Sequence, residues 1–266
     1  MGKNDILSLK EGNVTKIIAV VNQKGGVGKT TTTINVAAQL AGQRSSVLLV
    51  DLDPQGNATS GLGIPVESTQ LTTYNVLNGT AALMDTVQRT NVAQLFVLPA
   101  NNNLAGAEVE LVGREHREFA LQQALQQAVV YDYVLIDCPP SLGLLTINAL
   151  TAAQQVLIPV QAEYYALEGL SQLLQTIQAV RGSTNPQLEL LGIVLTMFDK
   201  RNSLSDQVQA EVANYFGEKL FKTIIPRNVR LAEAPSYGRT IYEHDRWSKG
   251  ARSYKALAKE VRGRLG

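Results

Sequence analysis

Residues 23–31 read Gln-Lys-Gly-Gly-Val-Gly-Lys-Thr-Thr, a combination with a specific chemical use. Gly25, Gly26 and Gly28 carry no Cβ, so the backbone can wrap a phosphate and turn its N–H groups inward. Lys29 then falls on the β- and γ-phosphates of a nucleotide, Thr30 offers a hydroxyl to Mg2+, and Val27 and Thr31 complete the loop. Lys24 is a second lysine in an unusual place for such a loop. Two acidic sites suit the same chemistry. Asp51 and Asp53 lie in Asp-Leu-Asp-Pro-Gln-Gly-Asn, where a period of two puts both carboxylates on one side of the chain. Asp137 ends an apolar run in Val-Leu-Ile-Asp-Cys-Pro-Pro-Ser. A carboxylate at the tip of a strand beside a phosphate loop holds Mg2+, usually through water, because Mg2+ gives up its hydration shell reluctantly. Cys138 reads as a small buried residue, and His116 and His244 are too isolated for catalysis or metal binding.

These residues need elements to position them. The run 17–21 precedes the glycine loop and 31–41 follows it with helical spacing, which is the strand–loop–helix context the loop requires. Short continuous apolar runs at 47–50, 95–98, 133–136, 156–160 and 190–195 read as buried parallel strands, and 220–225 as a seventh. Helical stretches at 31–41, 118–129, 165–180 and 205–216 separate them. The alternation predicts an α/β fold, a doubly wound and mainly parallel twisted sheet with helices on both faces. Ligands of such folds bind at the carboxyl ends of the strands, where the chemical residues fall. One domain is expected over 15–266, after a flexible arm at 1–14.

The chain has 266 residues, 45% of them hydrophobic, enough for one large domain. No apolar run approaches the ~20 residues of a membrane span, and the polar N-terminus does not read as a signal peptide. The single cysteine rules out an internal disulfide and a thiolate cage, which fits a reducing cytoplasm. Net charge is +1 overall, but residues 1–198 hold 10 Lys+Arg against 15 Asp+Glu, and residues 199–266 hold 14 against 8. An acidic body with a basic C-terminal quarter indicates a polyanion-binding face, with solvated helix faces as the alternative.

A strict Walker A motif has Gly where this chain has Gln23. The sequence instead resembles the deviant Walker A motif of the ParA/MinD ATPases. The resemblance runs from Lys16 to about Val261, through Gly-Leu-Leu-Thr-Ile-Asn-Ala-Leu at 143–150, Glu-Tyr-Tyr-Ala-Leu-Glu-Gly-Leu at 163–170 and Ile-Pro-Arg-Asn-Val-Arg-Leu-Ala-Glu-Ala-Pro-Ser at 225–236. Within that superfamily the chain is similar to the small Soj-type ParA partition ATPases of chromosomes and plasmids.

The resemblance implies ATP and Mg2+ as cofactors and catalytic roles for Lys24, Lys29 and Asp53. Lys24 would reach the nucleotide of the partner subunit. Asp53 would organise Mg2+ and water, with Asp51 as support, and Pro226 and Asn228 would contact adenine. It implies an ATP-bridged homodimer on nucleoid DNA and a ParB/Spo0J-type partner. Arg201 and Arg230 are the first candidates for sequence-independent DNA binding. Lys200, Arg227, Arg246, Lys249 and Arg252 extend the patch unless they pair with Asp199, Glu233 or Asp245. The helix-turn-helix domain of larger ParA proteins is not expected. The cargo stays open between chromosome, plasmid and protein organelle. A MinD-like membrane role would need a free amphipathic C-terminal helix, and the spacing of Leu257, Val261 and Leu265 reads rather as a packed one. A metabolic enzyme would need an acceptor pocket and lid that the sequence does not reveal.

Overall fold

The computed structural model describes residues 14–42, 45–67, 69–163 and 166–266. The arm expected at 1–14 lies, but for Val14, outside the described residues. Strands β1 (Lys16–Val20), β2 (Val47–Asp51), β3 (Gln88–Arg89), β4 (Leu95–Leu98), β5 (Tyr133–Asp137), β6 (Gln155–Gln161) and β7 (Glu189–Thr196) form one sheet. Its order is β3-β4-β2-β5-β1-β6-β7. All pairings are parallel except that of the short edge strand β3.

The helices are α1 (Lys29–Ala41), α2 (Asn57–Gly61), α3 (Thr73–Leu77), α4 (Leu83–Thr86), α5 (Leu104–Leu111), α6 (Ala120–Leu125), α7 (Leu144–Ala152), α8 (Ala166–Arg181), α9 (Ser203–Phe216), α10 (Val229–Glu233), α11 (Ile241–Asp245) and α12 (Lys249–Leu265). No helix among the described residues is long and apolar enough to cross a membrane.

The strands are apolar on both sides because both sides are covered. Leu48, Val50, Val134, Ile136, Val156 and Ile158 point into one core, while Val47, Leu49, Leu135 and Leu157 point into the other. Period-two alternation therefore divides each strand between two helix layers. Helix α12 packs along α1, with Leu257 and Val261 fully buried and Leu265 nearly so. Its apolar stripe belongs to the core, as the packed-helix reading predicts.

The sheet departs from expectation at 220–225, which is not a strand. Phe221 N donates to Ile193 O at 2.8 Å and Ile225 N to Leu195 O at 2.9 Å, so the segment follows β7. Between them, Lys222 N and Thr223 N donate to the Glu260 carboxylate of α12, at 2.8 and 3.0 Å. A side chain has taken donors that a ladder would need. The single helix expected at 118–129 is also broken, with 3-10 turns at Arg117–Phe119 and Gln126–Val130 flanking α6. Asn148 of α7 interrupts the start of that helix, accepting from Leu121 N at 3.1 Å and donating to Arg117 O at 3.0 Å.

β1 continues to β2 on one side and β5 to β6 on the other, so adjacent strands β1 and β5 send their loops in opposite directions. That is the switch point at which open α/β sheets bind ligands. Val20 and Asp51 are both register partners of Asp137 there.

Candidate nucleotide site and basic surface

The loop after β1 is held by its own polar groups. Asn22 Nδ2 donates to Pro159 O at 2.7 Å, and Asn22 Oδ1 accepts from Lys24 N at 2.9 Å. Lys29 Nζ reaches back to Lys24 O at 3.0 Å, spanning the loop. Gly26 and Gly28 have φ of 74° and 86°, left-handed values that strain a residue with a Cβ. Helix α1 starts directly after Gly28 with no side-chain cap, which leaves its first N–H groups available to an anion in the loop. Val27 is buried, and its carbonyl accepts from Thr196 Oγ1 at 2.8 Å, so its contribution is backbone.

The three aspartates separate by what satisfies them. Asp51 and Asp137 are both fully buried, and burial pushes both carboxyls above their usual range. For Asp137, the charge of Asp51 adds to that push, while Thr30 and Thr33 oppose it by hydrogen bonding. Asp51 is well supplied: Oδ2 accepts from Thr59 N at 2.8 Å and Thr59 Oγ1 at 2.6 Å, and Oδ1 from Asp53 N at 3.2 Å. Its role is to pin α2 to the end of β2. Asp137 Oδ1 accepts from Thr33 Oγ1 at 2.9 Å, but Oδ2 is buried without a hydrogen-bond partner. Such an oxygen beside the Thr30 hydroxyl fits a hydrated Mg2+. Asp53 Oδ1 accepts from Gln55 N at 3.0 Å, and Asp53 lines the phosphate cleft. Burial lowers the pKa of the Lys29 ammonium, and Asp137, its leading anionic neighbour, opposes the shift.

The phosphate cleft measures about 420 Å3 and is lined by Gly25, Gly26, Gly28, Lys29, Thr30 and Thr31 with Asp53 and Pro140. A second pocket of about 340 Å3 adjoins it, sharing Gly28, Thr31 and Met197. Pro226 and Asn228 line this pocket, as expected for a base site, together with Thr196, Arg227 and Tyr254. Asn228 Oδ1 is buried without a partner, the right acceptor for an exocyclic amino group. A larger pocket of about 530 Å3 lies between α3, α4 and α5, α6, and none of the phosphate-loop or carboxylate residues lines it. Sequence reasoning missed Asn22, Thr196, Met197 and Tyr254. Asn22 and Thr196 act through backbone carbonyls far along the chain, and no local pattern marks that.

A family model described as AAA domain matches residues 15–190. The sporulation initiation inhibitor protein Soj of Bacillus subtilis is 56% identical over 247 residues, covering 92% of this chain and 98% of its own. The chromosome-partitioning ATPase Soj of Thermus thermophilus is 55% identical over 248 residues, 93% of this chain and 96% of its own. The chain belongs to the ParA/Soj family of chromosome-partitioning ATPases. A solved structure described as cobyrinic acid a,c-diamide synthase from Mycobacterium smegmatis, with bound ATP analogue and magnesium, superposes with a TM-score of 0.82. It is 42% identical and covers 92% of this chain and 93% of its own, so this ParA/Soj chain is nearer to the partitioning proteins.

Two features of this ParA/Soj chain lie outside the clefts. Lys24 Nζ stands 2.6 Å from Glu163 Oε2, in a half-exposed ion pair, and Gln161 Nε2 donates to the other oxygen of Glu163. The candidate DNA-binding residues Lys200, Arg201, Arg227, Arg230, Arg246, Lys249 and Arg252 are all exposed. The two ranked first are the paired ones. Arg201 holds Asp199 with Nη2 at 2.8 Å and Nε at 3.0 Å, depressing that carboxyl to about 2. Arg230 holds Glu233 at 2.8 Å and lies 3.9 Å from Asp245. Among the described residues, Lys200, Arg246, Lys249 and Arg252 form no ion pair.

Proposed function

We propose that this chain is a Mg2+-dependent ATPase whose nucleotide bridges two copies face to face, and that the dimer binds DNA without sequence preference to segregate chromosomal or plasmid DNA with a ParB-type partner. The observation that carries the reading is a pair of unsatisfied buried oxygens, one behind the phosphate cleft and one in the adjoining pocket. Asp137 Oδ2 belongs to a carboxylate hydrogen-bonded to Thr30, which lines the phosphate cleft, and Asn228 lines the adjoining pocket. ATP with Mg2+ supplies what each lacks, a cation for the first and the adenine amino group for the second.

The phosphates sit in the glycine loop under the α1 N-terminus, with Lys29 and Thr30 at the β- and γ-phosphate end. Bound Mg2+ supplies the positive charge that offsets the charge developing on the phosphates. Asp137 and Thr30 would hold it, and Asp53 would orient the water. Lys24 of each copy leaves Glu163 and crosses to the partner's nucleotide. An exposed pair of this type is worth about 0–1 kcal/mol, so releasing it is no barrier to association. The name of its Thermus thermophilus relative, a chromosome-partitioning ATPase, supports ATP hydrolysis and partitioning. The dimer, the DNA and the partner protein follow from the family resemblance and the basic surface.

Size-exclusion chromatography with ATP tests the core of the reading. Lys24→Ala is expected to stay monomeric and to lose DNA binding. Asp53→Ala is expected to accumulate as a dimer, because hydrolysis is impaired and binding is spared. An Asp53→Ala protein that stays monomeric at saturating ATP sinks the assignment.

A further inference from the structure

We propose that Trp247 is a DNA-contacting residue, its indole packing on the sugars and base edges of a duplex whose phosphates are held by Arg246, Lys249 and Arg252. The inference rests on the DNA reading above and adds an apolar component to it.

Trp247 is the only tryptophan in the chain, and it is 75% exposed. Burying an indole is strongly favourable, so one exposed among other exposed apolar side chains marks a contact surface. Val229, Tyr237 and Tyr242 in the same stretch are exposed as well, at 71%, 65% and 48%. The Arg246 guanidinium lies 4.9 Å from the Trp247 ring centroid, forming a cation–π pair. The turn is built to hold this pair outward. Asp245 Oδ1 accepts from Trp247 N at 3.1 Å, and Ser248 Oγ donates to Asp245 O at 2.8 Å and caps α12. Asp245 also lies 3.9 Å from Arg230 Nε, so the tryptophan turn and Arg230 belong to one local unit.

Charge identifies the occupant. Lys249 and Arg252 occupy the first turn of α12, where no acidic residue stands and where cations oppose the helix dipole. A nearby polyanion reverses that penalty. The nearest acids are already engaged, Asp245 and Glu233 with Arg230, and Glu243 in the capping box of α11. Unpaired cations interleaved with aromatics match a duplex's phosphates, sugars and base edges, and not a second copy of this basic surface.

The single tryptophan gives a direct readout. Wild-type protein with a non-hydrolysable ATP analogue is titrated with a short duplex of arbitrary sequence while Trp247 emission and the anisotropy of labelled duplex are followed together. Emission is expected to shift to the blue and change intensity in step with binding, with no change from the analogue alone. Trp247→Ala is expected to weaken DNA binding roughly ten-fold, the scale of losing part of a buried apolar contact, without changing the salt slope, because the indole carries no charge. Arg246→Ala and Arg252→Ala are expected to lower that slope by about one each. Trp247→Phe should recover most of the affinity, and ATP-dependent dimerisation should be intact in all variants. Binding with unmoved emission and an unaffected Trp247→Ala overturns this inference alone. Wild type that binds no duplex in the ATP state overturns the DNA reading itself. Emission that responds to anionic phospholipid vesicles and not to duplex assigns the surface to a membrane and overturns both.

Discussion

Asp51 and Asp137 are register partners with opposite fates. Both are buried carboxylates, but Thr59 and the Asp53 backbone satisfy the first, while one oxygen of the second has no partner. A buried carboxylate with one oxygen left without a hydrogen-bond partner costs stability, so Asp137 is held at the expense of the fold. Asp137→Asn is therefore expected to raise the stability of the nucleotide-free protein by about 1 kcal/mol and to abolish Mg2+-dependent hydrolysis. Thermal melts with and without Mg2+-ATP, paired with phosphate release, check both halves. Loss of stability in the nucleotide-free variant would show that Asp137 anchors Lys29 more than it strains the site. Thr59→Ala should do the reverse, costing about 1–3 kcal/mol by removing the hydroxyl that donates to Asp51 and accepts from Ala100 N and loosening α2 beside the cleft.

At the scale of elements, the C-terminal helix is fastened to the sheet edge by a polar clamp. Glu260 accepts from Lys222 N and Thr223 N, and Arg264 donates to Leu191 O at 3.0 Å and Leu220 O at 2.9 Å. The Arg264 guanidinium also lies 3.8 Å from the Phe221 ring centroid. Partial burial pulls the Glu260 carboxyl upward, but the two N–H donors and Arg264 outweigh it, and the net shift is downward from 4.5. A depressed pKa contributes stability that is complete above the unfolded value and fades as pH falls through the folded one. Glu260→Gln is thus expected to destabilise by about 1 kcal/mol near neutrality, and the deficit should shrink below about pH 4. Urea denaturation of both proteins across that range is the check. A deficit independent of pH would mean that packing, and not charge, is what Glu260 supplies. Gly28→Ala tests another element junction. Its φ of 86° opens α1, and the left-handed strain should cost about 1–2 kcal/mol, although the nearest atom to an added Cβ is a comfortable 3.9 Å away.

The whole molecule carries a phosphate cleft and a set of exposed cations in its C-terminal quarter. None of the described residues lining the phosphate cleft is an arginine. Arginine fingers are worth ~10³–10⁵ in rate where they occur, so basal hydrolysis is expected to be slow and open to stimulation. A basic N-terminal peptide of a ParB-type protein together with DNA should raise phosphate release well above either alone. Wild-type protein should then leave DNA while Asp53→Ala stays. Fast basal turnover that ignores both would point to a metabolic ATPase. For the surface, log affinity for duplex should fall linearly with log salt. Arg201→Glu and Arg230→Glu should remove binding and spare dimerisation. Their ion pairs with Asp199 and Glu233 are exposed, so phosphate can displace them at little cost. If both variants bind like wild type, the surface is misplaced.

The sequence by itself determined the chemistry at the strand ends, because glycine, lysine, threonine and aspartate at fixed spacing constrain a local backbone and need no distant partner. Gly26, Gly28, Lys29 and Thr30 line one cleft, Asp137 ends β5, and six of the seven expected strands are strands. What the tertiary structure decided is every relation between residues far apart in the chain. It paired Asp51 with Asp137 across β2 and β5, joined Asn228 and Tyr254 to the loop after β1, and set Lys24 against Glu163. It also turned the expected strand at 220–225 into a clamp, because Glu260 of α12 captures two of its N–H groups. The two-residue strand β3 carries no apolar run, and only pairing with β4 defines it. Spacing along the chain reports local geometry, whereas hydrogen-bond capture, charge pairing and burial depend on which surfaces the fold brings together.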